Sequence, residues 1–471
     1  MNQKKETTVL LLSLIITICA VAGGWWWFNR TEQTPVANGS NPDKILPKIN
    51  PSERMEFSTG ENILIDRGAT PQKQSAAQAI AQKNYPQAVS LLEESLATKR
   101  NDPEALIYLN NARIGDRQAH TIAVPAPIGT ELTTAQEILR GVAQAQNEVN
   151  QQGGINGVSL KVLLTNDNND AATATSVAKS LVKNKNVLGV IGHFSSGVTL
   201  ATAPIYQDAG LVAISPTSTS VAISEIGNYI FRTVPSDRFT SKTISRYALE
   251  TLNKNKIAVI YNSQSAYSKS LRDTFTTDIV SDGGEVVTEA DLSENNFNSA
   301  EILEKAQSQD AEILAFLNDS KTADKAYLIM QLNNNQLPML GGDSLYKPQT
   351  LQNAGEKALS LVLGVPWHIL SNANADFPDS SRQLWGGDVN WRTAMAYDAL
   401  WAIATGLKNQ PTRRGLQETL SLSSFAFNGA SGTVKFLVSG DRNAPVQLVT
   451  VEPGKRSTYG YDFVPVNKAI R

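Results

Sequence analysis

From residue 120 onward, apolar positions switch repeatedly between short continuous runs and a spacing of three to four. Runs near 122–125, 159–164, 187–191, 211–214, 256–261, 285–289 and 311–316 have the length of buried strands. The stretches between them carry helical periodicity. Thr134–Asn150 places Ile138, Val142, Ala145 and Val149 on one face, and Val198–Asp208 shows the same spacing. Strand alternating with helix predicts parallel sheets with right-handed crossovers, an α/β fold.

The stretch from Val187 to Ser220 predicts more than architecture. The strand Val187–Ile191 breaks at the hydroxyl-rich turn Gly192–Gly197, and the next strand, Leu211–Ile214, ends at Ser215-Pro216-Thr217-Ser218-Thr219. Both turns follow the carboxyl ends of strands, where open α/β sheets bind ligands. The helix opening at Ser196-Gly197 offers unpaired N–H groups to an anion.

The pattern before residue 120 is different. Val9–Phe28 is a run of twenty uncharged residues after Lys4 and Lys5, enough to span a hydrocarbon core of about 30 Å. Trp25-Trp26-Trp27 followed by Arg30 suits the far interface of an anchor, with the rest of the chain outside the cytoplasm. Ala20-Val21-Ala22 reads alternatively as a signal-peptide cleavage site. Both readings export the protein. Residues 1–30 are thus expected as anchor or signal, and the Pro/Asn-rich region 31–70 as a linker. Ala79–Val89, the Leu-rich segment after it and Asn101–Ala105 resemble one tetratricopeptide repeat and the first helix of another, over 71–118. Asp102-Pro103 restarts the chain as cap and first helical residue. One repeat buries its apolar face poorly, so this segment is either a spacer packed on the following domain or a docking site for a protein partner.

Composition narrows the function. The 42 Lys and Arg nearly balance 44 Asp and Glu, and no basic stripe suggests nucleic acid. The single cysteine, Cys19, lies in the N-terminal apolar run, so the exported part has no internal disulfide. His120, His193 and His368 lack metal-ligand spacing. No nucleophile elbow or phosphate loop is present, so neither enzyme nor cofactor is expected.

The segments GVIGHFSSG (189–197) and APIYQDAGLVAISPTSTS (203–220) strongly resemble the leucine/isoleucine/valine-binding receptors of ABC importers. Ile138–Val142, GGINGVSLKVLLTNDNNDAATA (153–174) and Gly341-Gly342-Asp343 follow in the family's order. The resemblance implies a two-lobed type I periplasmic binding protein over 119–471, with lobe 1 at about 120–236 and 368–425 and lobe 2 at about 237–367 and 426–471. It implies three hinge crossovers, near Val234-Pro235, Val365-Pro366 and Gly429–Gly432. It also implies a branched-chain or other neutral amino acid, or a related amide, as ligand and an ABC permease as partner. A regulatory or sensor protein of the cell envelope built on the same fold is the alternative.

By the same resemblance, Ser196 and Thr219 hold the ligand carboxylate and amine, and the Thr217 backbone carbonyl receives the ammonium. Asp343 pairs the ammonium from lobe 2, with one methylene less reach than the family's glutamate. Tyr267 closes over the ligand and Phe194 faces its side chain. Ser195 stands at the position of a family disulfide, and Thr134 where a tyrosine is common. Trp367 and Trp385 are further candidates for the lining. His193 is expected to be a hydrogen-bonded residue behind the turn.

Overall fold

The computed structural model describes residues 57–370 and 376–466. The apolar N-terminal run, Cys19 and residues 31–56 of the expected linker lie outside the described residues. No helix among the described residues is long and apolar enough to cross a membrane.

In chain order, the first sheet's strands are β1 Phe57–Ser58, β2 Ala119–Ala126, β3 Ser159–Asn166, β4 Val187–Ile191, β5 Val212–Ser215 and β6 Ile230–Arg232. Their spatial order is β1-β3-β2-β4-β5-β6, parallel except for β1 against β3. The second sheet uses β7 Lys256–Tyr261, β8 Glu285–Asp291, β9 Ile313–Phe316, β10 Met339–Gly341, β11 Leu361–Val365, β14 Gln447–Pro453 and β15 Tyr461–Pro465. It runs β15-β14-β11-β10-β9-β7-β8, with β14 and β15 antiparallel. A hairpin of β12 Phe427–Gly429 and β13 Gly432–Val434 stands apart.

The helices are α1 Pro71–Ala81, α2 Tyr85–Thr98, α3 Pro103–Ile114, α4 Leu132–Gln151, α5 Ala171–Lys183, α6 Ser196–Asp208, α7 Asp237–Arg246, α8 Ala266–Ser281, α9 Ser299–Ser308, α10 Ala323–Asn333, α11 Pro348–Asn353, α12 Asp376–Trp385, α13 Trp391–Gly406 and α14 Arg413–Leu420. Side chains cap many of their starts, as Asp102, Asp170 and Ser265 do for α3, α5 and α8. Most strands match the sequence expectation to within two residues.

Two expected boundaries move. The linker does not run to residue 70: Phe57 and Ser58 pair with Thr165 and Leu164 as the edge of the first sheet. Ile65 is buried, and the N–H groups of Leu64 and Ile65 donate to Glu104. Every residue of α3 except Arg113 is buried, and α3 packs against α4 and β3. Lys73 on α1 joins Asp102 and Glu104 in a buried triad, at 2.9 and 2.7 Å. The helical segment is therefore built into lobe 1.

The third crossover is also displaced. Gly429–Gly432 is a hairpin turn held to α13, where Asp398 accepts from the N–H groups of Ala430 and Ser431. The passage into lobe 2 comes later, between Val434 and Gln447. There Arg442 bridges to Pro235 of the first crossover, and Arg232 Nε donates to Asp441 at 2.7 Å. Val234-Pro235 falls between β6 and α7, and Val365-Pro366 falls at the end of β11.

Candidate functional site

A cleft of about 370 Å³ opens between the lobes. Its walls follow the carboxyl ends of five parallel strands: Asn169 after β3, Phe194–Val198 after β4, Thr217 after β5, Tyr267 after β7 and Asp343 after β10.

From lobe 1 comes the start of α6. Its N-cap, Ser195, makes no side-chain capping bond, so the first-turn N–H groups are left for another acceptor. Ser196 Oγ accepts from the Ser220 N–H at 3.2 Å, which leaves its own proton free to donate. The Thr217 and Ser218 hydroxyls donate to the Phe194 carbonyl at 2.7 and 3.1 Å, locking one turn onto the other. Thr217 can therefore offer its backbone carbonyl but not its hydroxyl proton. Behind them His193 bonds Asp167 at 2.7 Å and the Tyr206 hydroxyl at 3.0 Å, a structural role.

Lobe 2 brings Tyr267 and Asp343. A Cβ at Gly342 would lie 2.3 Å from the Tyr267 hydroxyl, so glycine there is what lets the ring settle beside Asp343. The hydroxyl makes no well-formed hydrogen bond. Asp343 is 5% exposed, and burial pushes its carboxylic acid up to about 7, with Arg392 opposing and Asp237 adding repulsion.

Phe194, Ser195, Ser196, Thr217, Tyr267 and Asp343 thus line one cleft. Thr219 is buried just behind its wall with an unpartnered hydroxyl. Thr134 lies elsewhere: α4 carries it into an adjoining chamber of about 310 Å³. Trp367 and Trp385 do not line the cleft. Trp367 packs on Phe377, and the Trp385 indole donates to Gln144.

Asp237, Trp391 and Arg392 are among the cleft-side residues that escaped the sequence reading. Asp237, at the start of α7, is 1% exposed and neither carboxylate oxygen makes a well-formed hydrogen bond. Burial pushes it up to about 6, against the pull of the Ser270 and Thr219 hydroxyls and Arg232. Trp391 and Arg392 open α13 behind the Asn390 cap and line the cleft. They come close because α4 and α13 pack tightly: a Cβ on Gly141 would lie 2.1 Å from the Thr393 carbonyl. The only sequence signal for them was an Asn cap before an aromatic–basic pair.

Among the buried donors and acceptors left without good partners, Thr219, Asp237, Tyr267, Trp391 and the Arg392 Nε lie around one interlobe space. Buried polar groups are normally satisfied. Such a gathering, beside an uncapped helix start, belongs to a binding protein whose partner is a small polar molecule.

Residues 122–456 match the family described as periplasmic binding protein, and the chain belongs to that family. It is a family of solute-binding proteins, not enzymes. Among its relatives is an amino acid binding protein of Pseudomonas aeruginosa, 30% identical over 199 residues, 41% of this chain and 52% of that protein. The match thus spans about half of that relative. A leucine-specific-binding protein of Salmonella typhimurium is 24% identical over 311 residues, 64% of this chain and 82% of its own length. The fold matches a branched-chain amino acid transporter substrate binding protein of Streptococcus pneumoniae in complex with isoleucine. Its TM-score is 0.66 at 24% identity, covering 74% of this chain and 100% of that one.

Proposed function

We propose that the protein is an extracytoplasmic receptor that binds a free α-amino acid between its lobes and delivers it to an ABC importer. The gathering of unpartnered polar groups around the cleft carries this reading. The ligand carboxylate sits at the uncapped start of α6 and takes the Ser196 proton. The ammonium lies between the Thr217 carbonyl and Asp343, with Asp237 behind. Each lobe supplies half of the contacts, so binding favours the closed arrangement and the importer reads closure. The names of the relatives support an amino acid as ligand. Residues 57–118 enter this proposal as a spacer fused to lobe 1, between the exported N-terminus and the receptor.

Calorimetric titration of the full-length chain, freed of carried-over ligand by unfolding and refolding, tests this with a panel of amino acids. Saturable one-to-one binding that weakens ~30-fold or more in Asp343→Asn is expected. A folded protein that binds no amino acid would remove the proposal.

A further inference from the structure

Arg392 stands at the junction of two chambers. The cleft of about 370 Å³ and the adjoining one of about 310 Å³ share Glu131, Ser320 and Arg392 in their walls. Arg392 is 2% exposed, yet all its hydrogen bonds are long. Nη1 donates to Glu137 and to the Tyr346 carbonyl, both at 3.3 Å, Nη2 reaches the Asp343 carbonyl at 3.5 Å, and Nε has no partner. Its guanidinium lies 4.4 Å from the Trp391 ring centre. Glu137, its buried ion-pair partner, lines the second chamber.

We infer that Arg392 and Glu137 together select an amino acid whose side chain ends in a carboxamide and reaches from the first chamber into the second. This rests on the amino-acid reading above and, within the branched-chain or other neutral amino acids expected from the sequence, chooses against the branched-chain side chains.

The chemistry is complementary. An aliphatic side chain would leave the under-bonded guanidinium facing hydrocarbon, with nothing to replace the water lost on closure. A side-chain carboxylate would suit Arg392 and Lys347 but meet Glu137, Glu131 and Asp324, so acids outnumber bases in the second chamber's wall. A side-chain ammonium would suit those acids but meet Arg392. A primary carboxamide satisfies both members of the pair: its oxygen accepts from Arg392, and its NH₂ donates to Glu137. Because Glu137 lines the second chamber and not the first, the side chain must be long enough to pass Arg392. Glutamine carries the longer of the two natural carboxamide side chains and is therefore the probe.

The full-length chain is titrated with glutamine, glutamate, leucine and isoleucine. Glutamine is expected to bind at least ~10-fold tighter than the others, the size of a charge-assisted hydrogen bond lost. Removing Arg392 alone strands Glu137, so the informative variant is Arg392→Leu/Glu137→Leu, which deletes the pair as a unit. It is expected to lose the glutamine preference and favour leucine. Leucine, isoleucine or glutamate matching glutamine in the unaltered protein overturns the inference and leaves the amino-acid receptor standing. So does a folded double variant that still prefers glutamine. Binding of no amino acid in a wider panel overturns both.

Discussion

Asp343 and Asp237 put two carboxylates into one buried place, where Arg392 and Arg232 offset only part of the desolvation, which costs the unliganded protein stability. An unfolded carboxylic acid titrates near ~4, whereas folded Asp343 does so at about 7 and Asp237 at about 6. Between those values the folded state holds the extra protons, so unliganded stability falls as the pH rises from 4 to 7. Ligand ammonium favours the ionised carboxylate, so affinity moves the other way. Calorimetry across pH 5 to 8 should show binding weakening by up to ~10-fold per unit below about 7, with proton release on binding near neutrality. Asp343→Asn should flatten this profile while raising the unliganded protein's stability at pH 8 by about 1–3 kcal/mol in a denaturant melt. A flat profile in the unaltered protein would show that Asp343 does not contact the ammonium. Asp343 was legible because Gly341-Gly342-Asp343 resembles the family's motif at that place. Asp237 was not: a lone acid in the first turn of a helix reads as an ordinary dipole partner, and only its burial in the structure marks it.

The helices and strands that carry the site were legible because each is short, apolar and bounded by Gly, Pro or hydroxyl clusters. What escaped lacks periodicity. β1 is two residues long in a Pro/Asn-rich stretch, too short for any pattern, and it exists because β3 offers it a free edge. Gly429 and Gly432 look like hinge residues, but the same glycines suit a hairpin turn, and burial of Asp398 beneath it fixed that outcome. The start of α13 reads as a core helix, since most of its later residues are apolar. The triad on α1 and α3 makes the repeat-like segment testable as an element. Glu104 accepts from Leu64, Ile65 and Tyr108 while pairing Lys73. Glu104→Ala is expected to cost about 3–5 kcal/mol, because it leaves buried donors unsatisfied. If helices and lobe 1 form one cooperative unit, the loss appears as a lower midpoint of lobe 1's own thermal transition. A separate early transition confined to the helices would show instead that they fold independently.

At the scale of the whole molecule, the first and third crossovers lie side by side and are joined by buried charge. Arg232, wholly buried on β6, donates to Asp441, to the Ser220 carbonyl at 2.7 Å and to Ser224 at 2.7 Å. It thus ties the bend between lobes to the turn that carries Thr219. Alongside it, Arg442 donates to Ser431, whose hydroxyl bonds Asp398. Ion pairs at this depth recover little net energy, but they punish the loss of one partner. Their effect here is to fix where the chain bends, and in the proposed closure they would set the line about which the lobes rotate. A double-mutant cycle separates that role from simple stabilisation. Asp441→Leu alone should cost about 3–5 kcal/mol in a denaturant melt, because Arg232 is stranded, whereas Arg232→Met/Asp441→Leu should recover more than half of that. The double variant should nonetheless bind ligand less tightly and shrink less on saturation, as measured by small-angle scattering, since the turn bearing Thr219 has lost its tie to the bend. Restored stability together with unchanged closure would mean that the pair only fills the hinge. Restored stability with impaired closure would make it the part of the molecule that converts a bound ligand into a defined rotation.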